Sequence, residues 1–101
     1  MAEREIGLSE IAKYARALHC PTRWRIIEFL AHSPAATSEI ASRLKRRGRG
    51  IGRPNLYYHL SALQDAGIIE VAEYREQGGG APEKVWRLAI DKITLKLREG
   101  R

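Results

Sequence analysis

The apolar period changes at Gly67, and that change constrains the fold more than any other feature of the chain. Before it, Leu56, Leu60 and Leu63 recur at steps of four and three, the spacing of one helix face, over a span from near Pro54 to about Ala66. Gly67 is placed as the stop, because glycine takes the left-handed backbone of a helix end without a steric penalty. After it, Ile68 to Arg75 is rich in β-formers, with Ile69 and Val71 on one face and Glu70 and Ala72 on the other, which reads as a strand. Gln77-Gly78-Gly79-Gly80-Ala81-Pro82 follows as a flexible turn, and Val85 to Ile90 alternates as the return strand of an antiparallel hairpin.

Upstream, the helical period predicts three more helices. Leu8, Ile11, Ala15 and Leu18 form one face over about 8–19, and Pro21 suits the first turn of the next helix, where its missing N–H costs nothing. Trp24, Ile27, Leu30 and Ala31 supply that helix's apolar stripe, widened by Ile26 and Phe29, until Ser33 and Pro34 end it. Thr37-Ser38-Glu39 opens a third helix with a hydroxyl cap and an acid in its first turn, and Ile40, Ala41 and Leu44 face inward. Arg47-Gly48-Arg49-Gly50-Ile51-Gly52 is too rich in glycine for a helix and reads as a mobile basic loop. In the last stretch, Ile90, Ile93 and Leu97 fit a helix capped by Asp91, while Ile93, Leu95 and Leu97 fit a strand; a short helix over about 91–98 is the reading adopted. Two short helices joined by a turn, the second running into a hairpin, make a winged helix-turn-helix, mainly α with a small β-hairpin. At 101 residues it is one domain, small enough that a partner subunit often completes its core.

The net charge of +6 is local. Residues 1–39 carry five basic and five acidic side chains and residues 65–101 seven of each, so the excess lies wholly between Ile40 and Gln64. That stretch holds Arg43, Lys45, Arg46, Arg47, Arg49 and Arg53, no acid, and Tyr57, Tyr58 and His59. Basic residues interleaved with aromatics suit a polyanion with readable edges. With the leucine stripe turned inward, Asn55, Tyr57, Tyr58, Ser61 and Ala62 face out as base readers, by amide, hydroxyl and methyl contacts. Arg46, Arg47, Arg49 and Arg53 then reach phosphates, joined by Arg75 and Lys84 beside the wing tip. His59, next to the leucine stripe, reads first as a partly buried hydrogen-bonding residue.

Other chemistries find little support. Cys20 cannot form an internal disulfide, and His19, Cys20 and His32 have no metal-ligand spacing, so no metal or cofactor is expected. The triple glycine leads to proline and a strand rather than into a helix, so it is no phosphate cradle. No nucleophile and base stand at a telling spacing, so no enzyme is expected. No apolar run spans a membrane and the first residues carry acids without an apolar core, so the chain is expected to be cytoplasmic.

Two stretches resemble the ArsR-type winged-helix transcriptional regulators. Ala17 to Leu30, with Pro21-Thr22-Arg23 before an apolar run, is similar to the family's entrance into its second helix, and Asn55 to Ile69, with His59-Leu60 and Ala66-Gly67, to its recognition helix and exit. The resemblance implies a homodimer on double-stranded DNA, recognition helices in successive major grooves, wings on adjacent backbone, and terminal helices in the dimer contact. Leu8, Ile11, Ala15, Leu18, Ile93 and Leu97 are the residues it places there. Cys20 replaces the family's aspartate cap, the Cys-x-Cys metal pair is missing, and the Arg-Gly run lengthens the helix-to-helix turn. The expected function is a sequence-specific dimeric regulator, a repressor, with no small-molecule effector identified. The alternatives are a sequence-indifferent chromatin or RNA binder and a winged helix used as a protein-interaction module.

Overall fold

The computed structural model of the chain describes residues 2–76 and 79–98. In order, these form strand β1 (Glu3–Ile6), a 3-10 turn (Leu8–Glu10), helices α1 (Ile11–Leu18) and α2 (Pro21–His32), strand β2 (Ala35–Ala36), helices α3 (Thr37–Arg46) and α4 (Arg53–Asp65), and strands β3 (Ile69–Arg75), β4 (Glu83–Leu88) and β5 (Lys92–Leu95). The expected architecture, mainly α with a small β-hairpin, is the one found. Gln77 and Gly78 of the expected turn lie outside the described residues.

Both helices of the helix-turn-helix end on a left-handed glycine. Gly67, at φ +77°, donates its N–H to the Gln64 carbonyl, and the Ile68 N–H reaches the Leu63 carbonyl. Gly48, at φ +72°, repeats this with Lys45, and Arg49 with Leu44. Each pair of bonds satisfies carbonyls that the helix leaves open. The Arg-Gly run therefore begins as a helix ending before it becomes a loop.

The start of α3 differs from expectation. Ala36, not Thr37, is the N-cap residue, and Thr37 is turned into the core. Its hydroxyl accepts from Trp86 Nε1 at 2.9 Å and donates to the Lys84 carbonyl at 3.3 Å. The open N–H groups find carboxylates instead: Ala36 donates to Glu39 at 2.7 Å and Ser38 to Glu83 of β4, also at 2.7 Å. The first turn of the supporting helix is thus tied to the base of the wing.

The hairpin is part of a three-stranded antiparallel sheet ordered β2-β4-β3, with Ala35 opposite Trp86 and Ile69 opposite Leu88. A register shift between Val71 and Glu73 leaves Ala72 as an extra residue, which bends the strand toward the wing tip. Ile26, Ile40, Leu44, Leu56, Leu60 and Leu63 are wholly buried between the helices and this sheet.

The terminal segment corrects the helical reading of 91–98. Lys92–Leu95 is a strand, parallel to β1, with Glu3 opposite Lys92 and Ile6 opposite Leu95. Asp91 caps no helix; it accepts the Ala2 N–H at 3.1 Å and returns its own N–H to the Ala2 carbonyl at 2.8 Å. Two β-branched residues, Ile93 and Thr94, with a strand already waiting, outweigh a one-turn helical stripe.

The stripes of α1 and α2 are also rotated from expectation. Tyr14 and Ala17 of α1, and Ile26, Phe29 and Leu30 of α2, face the core, whereas Leu8, Ile11, Ala15, Trp24 and Ala31 are exposed. Each helix carries two neighbouring apolar stripes, and only one is covered within the chain.

Candidate nucleic-acid interface

On α4, burial of Leu56, Leu60 and Leu63 leaves Asn55, Tyr57, Tyr58 and Ser61 exposed, as the spacing requires. Ala62 is half-buried and lines a groove between α1 and α4. Asp65 is exposed at the far end of the same outer surface. An acid there disfavours phosphate, whereas the helix dipole is positive at the Arg53 end of α4.

Arg46, Arg47, Arg49 and Arg53 are all exposed around the start of α4. None has a carboxylate within ion-pair distance among the described residues, where the pairs are Arg75–Glu39 at 3.6 Å and Arg87–Glu70 at 2.7 Å. Arg47 and the partly buried Arg43 also lay their guanidinium groups over the Phe29 ring, 5.3 and 5.8 Å from its centre. Arg75 is therefore partly engaged by Glu39, and Lys84 sits with its ammonium 5.6 Å from the Trp86 ring. Neither wing cation is held free at the tip.

Sequence reasoning passed over several residues on this surface. Ser38, Ser42 and Lys45 of α3 line a cleft with Arg53 and the Gly50–Gly52 segment, placing hydroxyls and an ammonium beside the four arginines. A helical wheel drawn opposite Ile40 and Leu44 would have found them. Tyr74 on the wing is exposed beside Arg75.

Beside the exposed face of α4 lies a cluster built on Arg23, buried to 8% exposure. Its Nε donates to His59 Nδ1 at 3.0 Å, and Nη1 donates to the carbonyls of Arg16 and Ala17, each at 3.2 Å, at the end of α1. Cys20 precedes α2 as its N-cap residue, with no capping bond from its thiol. Desolvation by burial, and then the neighbouring Arg23 charge, hold His59 below its ordinary pKa of about 6.5. The fold thus keeps the ring neutral: the stabilisation is complete above about pH 6.5 and is lost as pH falls from there through the lowered folded value. The unfolding midpoint should drop between pH 7.5 and 5.5, and His59→Gln, which keeps an acceptor for Arg23, should shrink that drop. An undiminished drop in the variant would assign the effect to another group.

Four of the residues expected at a subunit contact come together. Ile11, Ala15, Leu18 and Ile93 line an apolar groove of about 470 Å³ together with Trp24 and Leu95. Leu8 and Leu97 are exposed, at 49% and 66%. Among the described residues no three His, Cys, Asp or Glu side chains come together as a metal site, and no helix is long and apolar enough to cross a membrane.

The helix-turn-helix domain family matches residues 17–72, more than half of the chain. Among solved structures, Rv0081 of M. tuberculosis is 25% identical with a TM-score of 0.62, over 80% of this chain and 71% of that one. A homodimeric winged helix-turn-helix DNA-binding domain of Mycobacterium bovis, described as a possible ArsR-family transcriptional regulator, is 26% identical with a TM-score of 0.60, over 81% of this chain and 66% of its own. The transcriptional repressor BigR of Xylella fastidiosa shares the fold at 24% identity and a TM-score of 0.59, over 79% of this chain and 70% of its own. No curated protein matches the sequence. With an outward-facing α4 set before a hairpin wing and matched in both its helices, the chain belongs to the helix-turn-helix domain family, in the ArsR-type winged form whose fold is that of transcriptional regulators and not of enzymes.

Proposed function

We propose that the chain is a sequence-specific regulator that binds double-stranded DNA as a cytoplasmic homodimer and represses by occluding the duplex it covers. One observation carries this reading. The exposed side of α4 presents Asn55, Tyr57, Tyr58 and Ser61 within a rim of arginines that lack carboxylate partners among the described residues. Amide and hydroxyl groups at groove depth read bases, and a cationic rim sets register on phosphates. The rim is Arg46, Arg47, Arg49 and Arg53, extended by Ser38, Ser42 and Lys45 on α3 and by Arg75 and Lys84 at the wing. The uncovered stripes of α1 and α2, with Ile93 and Leu97, supply the subunit contact, and the homodimeric Mycobacterium bovis domain supports that assembly.

Selection of bound sequences from a random duplex pool at physiological salt tests the whole reading. A two-fold symmetric consensus is expected; a pool that emerges without any consensus rejects base reading and leaves a sequence-indifferent binder. At the level of residues, Tyr58→Ala should relax sequence preference, at a cost of about 1 to 3 kcal/mol on the preferred site. Arg47→Ala should weaken all duplexes alike. Competition assays with preferred and scrambled duplexes separate the two, and equal losses of discrimination would reverse the assigned roles.

A further inference from the structure

Arg23 is a buried cation with no carboxylate partner among the described residues, an arrangement that needs every donor well placed. Two carbonyls at the end of α1 accept from Nη1, and Nε is directed to His59 on α4. The same guanidinium lies 5.6 Å from the centre of the Tyr58 ring, and the His59 ring meets Tyr58 edge-on, 5.8 Å between centres at 61°. Tyr58 is 67% exposed, and Arg23 and His59 are the groups with which its ring makes a cation–π and an edge contact among the described residues. A long aromatic side chain left to rotate would have to be ordered at each binding event, which weakens binding; one already fixed is ready.

We propose that Arg23 and His59 are positioning residues that hold Tyr58 in the direction in which it meets the major groove, so that sequence discrimination requires a neutral His59. The proposal rests on the DNA-reading role given to α4 above. The hydrogen bond from Arg23 Nε needs a lone pair on His59 Nδ1. Protonation puts N–H against N–H and cation against cation, and the pair must part, releasing Tyr58 from both sides. The charged and titratable groups facing the cluster are Lys13 and Arg16 of α1, His19 of the α1–α2 link, and Asp65 at the end of α4.

The test is the ratio of affinities for the consensus duplex of the random-pool selection and for a scrambled duplex, at constant salt, between pH 7.5 and 5.5. Charge effects that do not depend on sequence act on both duplexes and cancel in the ratio. The wild-type ratio should fall at the lower pH by less than the roughly tenfold change of one fully lost base contact, because a His59 held below its ordinary pKa stays partly neutral at pH 5.5. His59→Gln accepts from Arg23 without titrating and should make the ratio independent of pH. Arg23→Lys, whose ammonium cannot serve both carbonyls and the imidazole, should give a low ratio at every pH while circular dichroism shows the fold retained. A flat wild-type ratio, or an equal fall in His59→Gln, overturns the proposal. In the free protein, the Tyr58 ring resonances should move with the His59 titration and stand still in His59→Gln; Tyr58 signals that ignore the titration also overturn it. If Tyr58 tracks His59 but the pool yields no consensus, the reading role of α4 has failed and the proposal falls with it. If a consensus exists and the ratio is flat, the proposal alone falls.

Discussion

Between about 50 and 200 mM salt, the affinity of the chain for duplex DNA should fall by about a thousandfold per subunit, with log K against log salt near a slope of −5. The magnitude follows from the acid-free stretch, whose six cations are the whole excess charge of the chain. Six phosphates neutralised per subunit release their condensed counterions at about 0.9 each, and a dimer doubles the slope. The structure refines which cations count. Arg46, Arg47, Arg49 and Arg53 have no carboxylate to give up, so each replaced by Ala should lower the slope by about 0.9. Arg75 must first leave Glu39, and its removal frees an acid near the duplex. Its variant should therefore lose affinity mainly through the repulsion left behind, with a smaller change in slope. Fluorescence anisotropy titrations across five salt concentrations measure both, and a slope shallower than about −2 per subunit would reject the cationic rim as the docking surface.

Trp86→Ala should remove about 3 to 5 kcal/mol of folding stability. For a domain whose total is about 5 to 15 kcal/mol, that brings the chain to the edge of unfolding. Trp86 is 2% exposed, pairs across the sheet with Ala35 and Val71, and fixes Thr37 at the start of the supporting helix. Its loss leaves a cavity at the point where wing, α3 and β2 meet, and strips the Thr37 hydroxyl of its donor. Trp86→Phe keeps most of the volume and should cost about 1 to 3 kcal/mol, the range for stranding a buried polar group. Urea denaturation followed by circular dichroism measures the two. A loss below about 1 kcal/mol for the alanine variant would remove Trp86 from the centre of the core. Trp24, half exposed, makes a useful contrast: in a Trp24→Phe background the remaining indole fluorescence reports the core alone.

What the sequence disclosed was governed by how local each determinant is. The leucine stripe, the stop at Gly67 and the alternating strands that follow depend on neighbours within a few residues, and α4, β3 and β4 came out where periodicity placed them. The outward direction of Asn55, Tyr57, Tyr58 and Ser61 followed from the same stripe. Strand β1 is missed, and β5 loses to the helical alternative, because each is four residues long and its partner lies some ninety residues away. Nothing in Glu3–Ile6 alternates strongly enough to announce a strand. The two-residue strand β2 exists only in register with β4. In the site, the engagement of Arg75 by Glu39 and of Lys84 by Trp86 arises between elements, so spacing along the chain could not show it. Arg23 enters the sequence reading only as part of Pro21-Thr22-Arg23, whereas folding buries it and bonds it to His59 of α4.

The parallel pairing of β1 with β5 also sets the order in which the molecule can be completed. β1 leaves the ribosome before the elements that follow it, yet its hydrogen-bonding partner is Lys92–Leu95. Closing so long a loop is slow compared with forming helices or the β3–β4 hairpin. Throughout synthesis, therefore, the helix-turn-helix and its wing can assemble while β1 waits with an open edge. The same pair should be among the earliest to open in native-state hydrogen exchange, so the end of the molecule that carries the apolar groove matures last and loosens first.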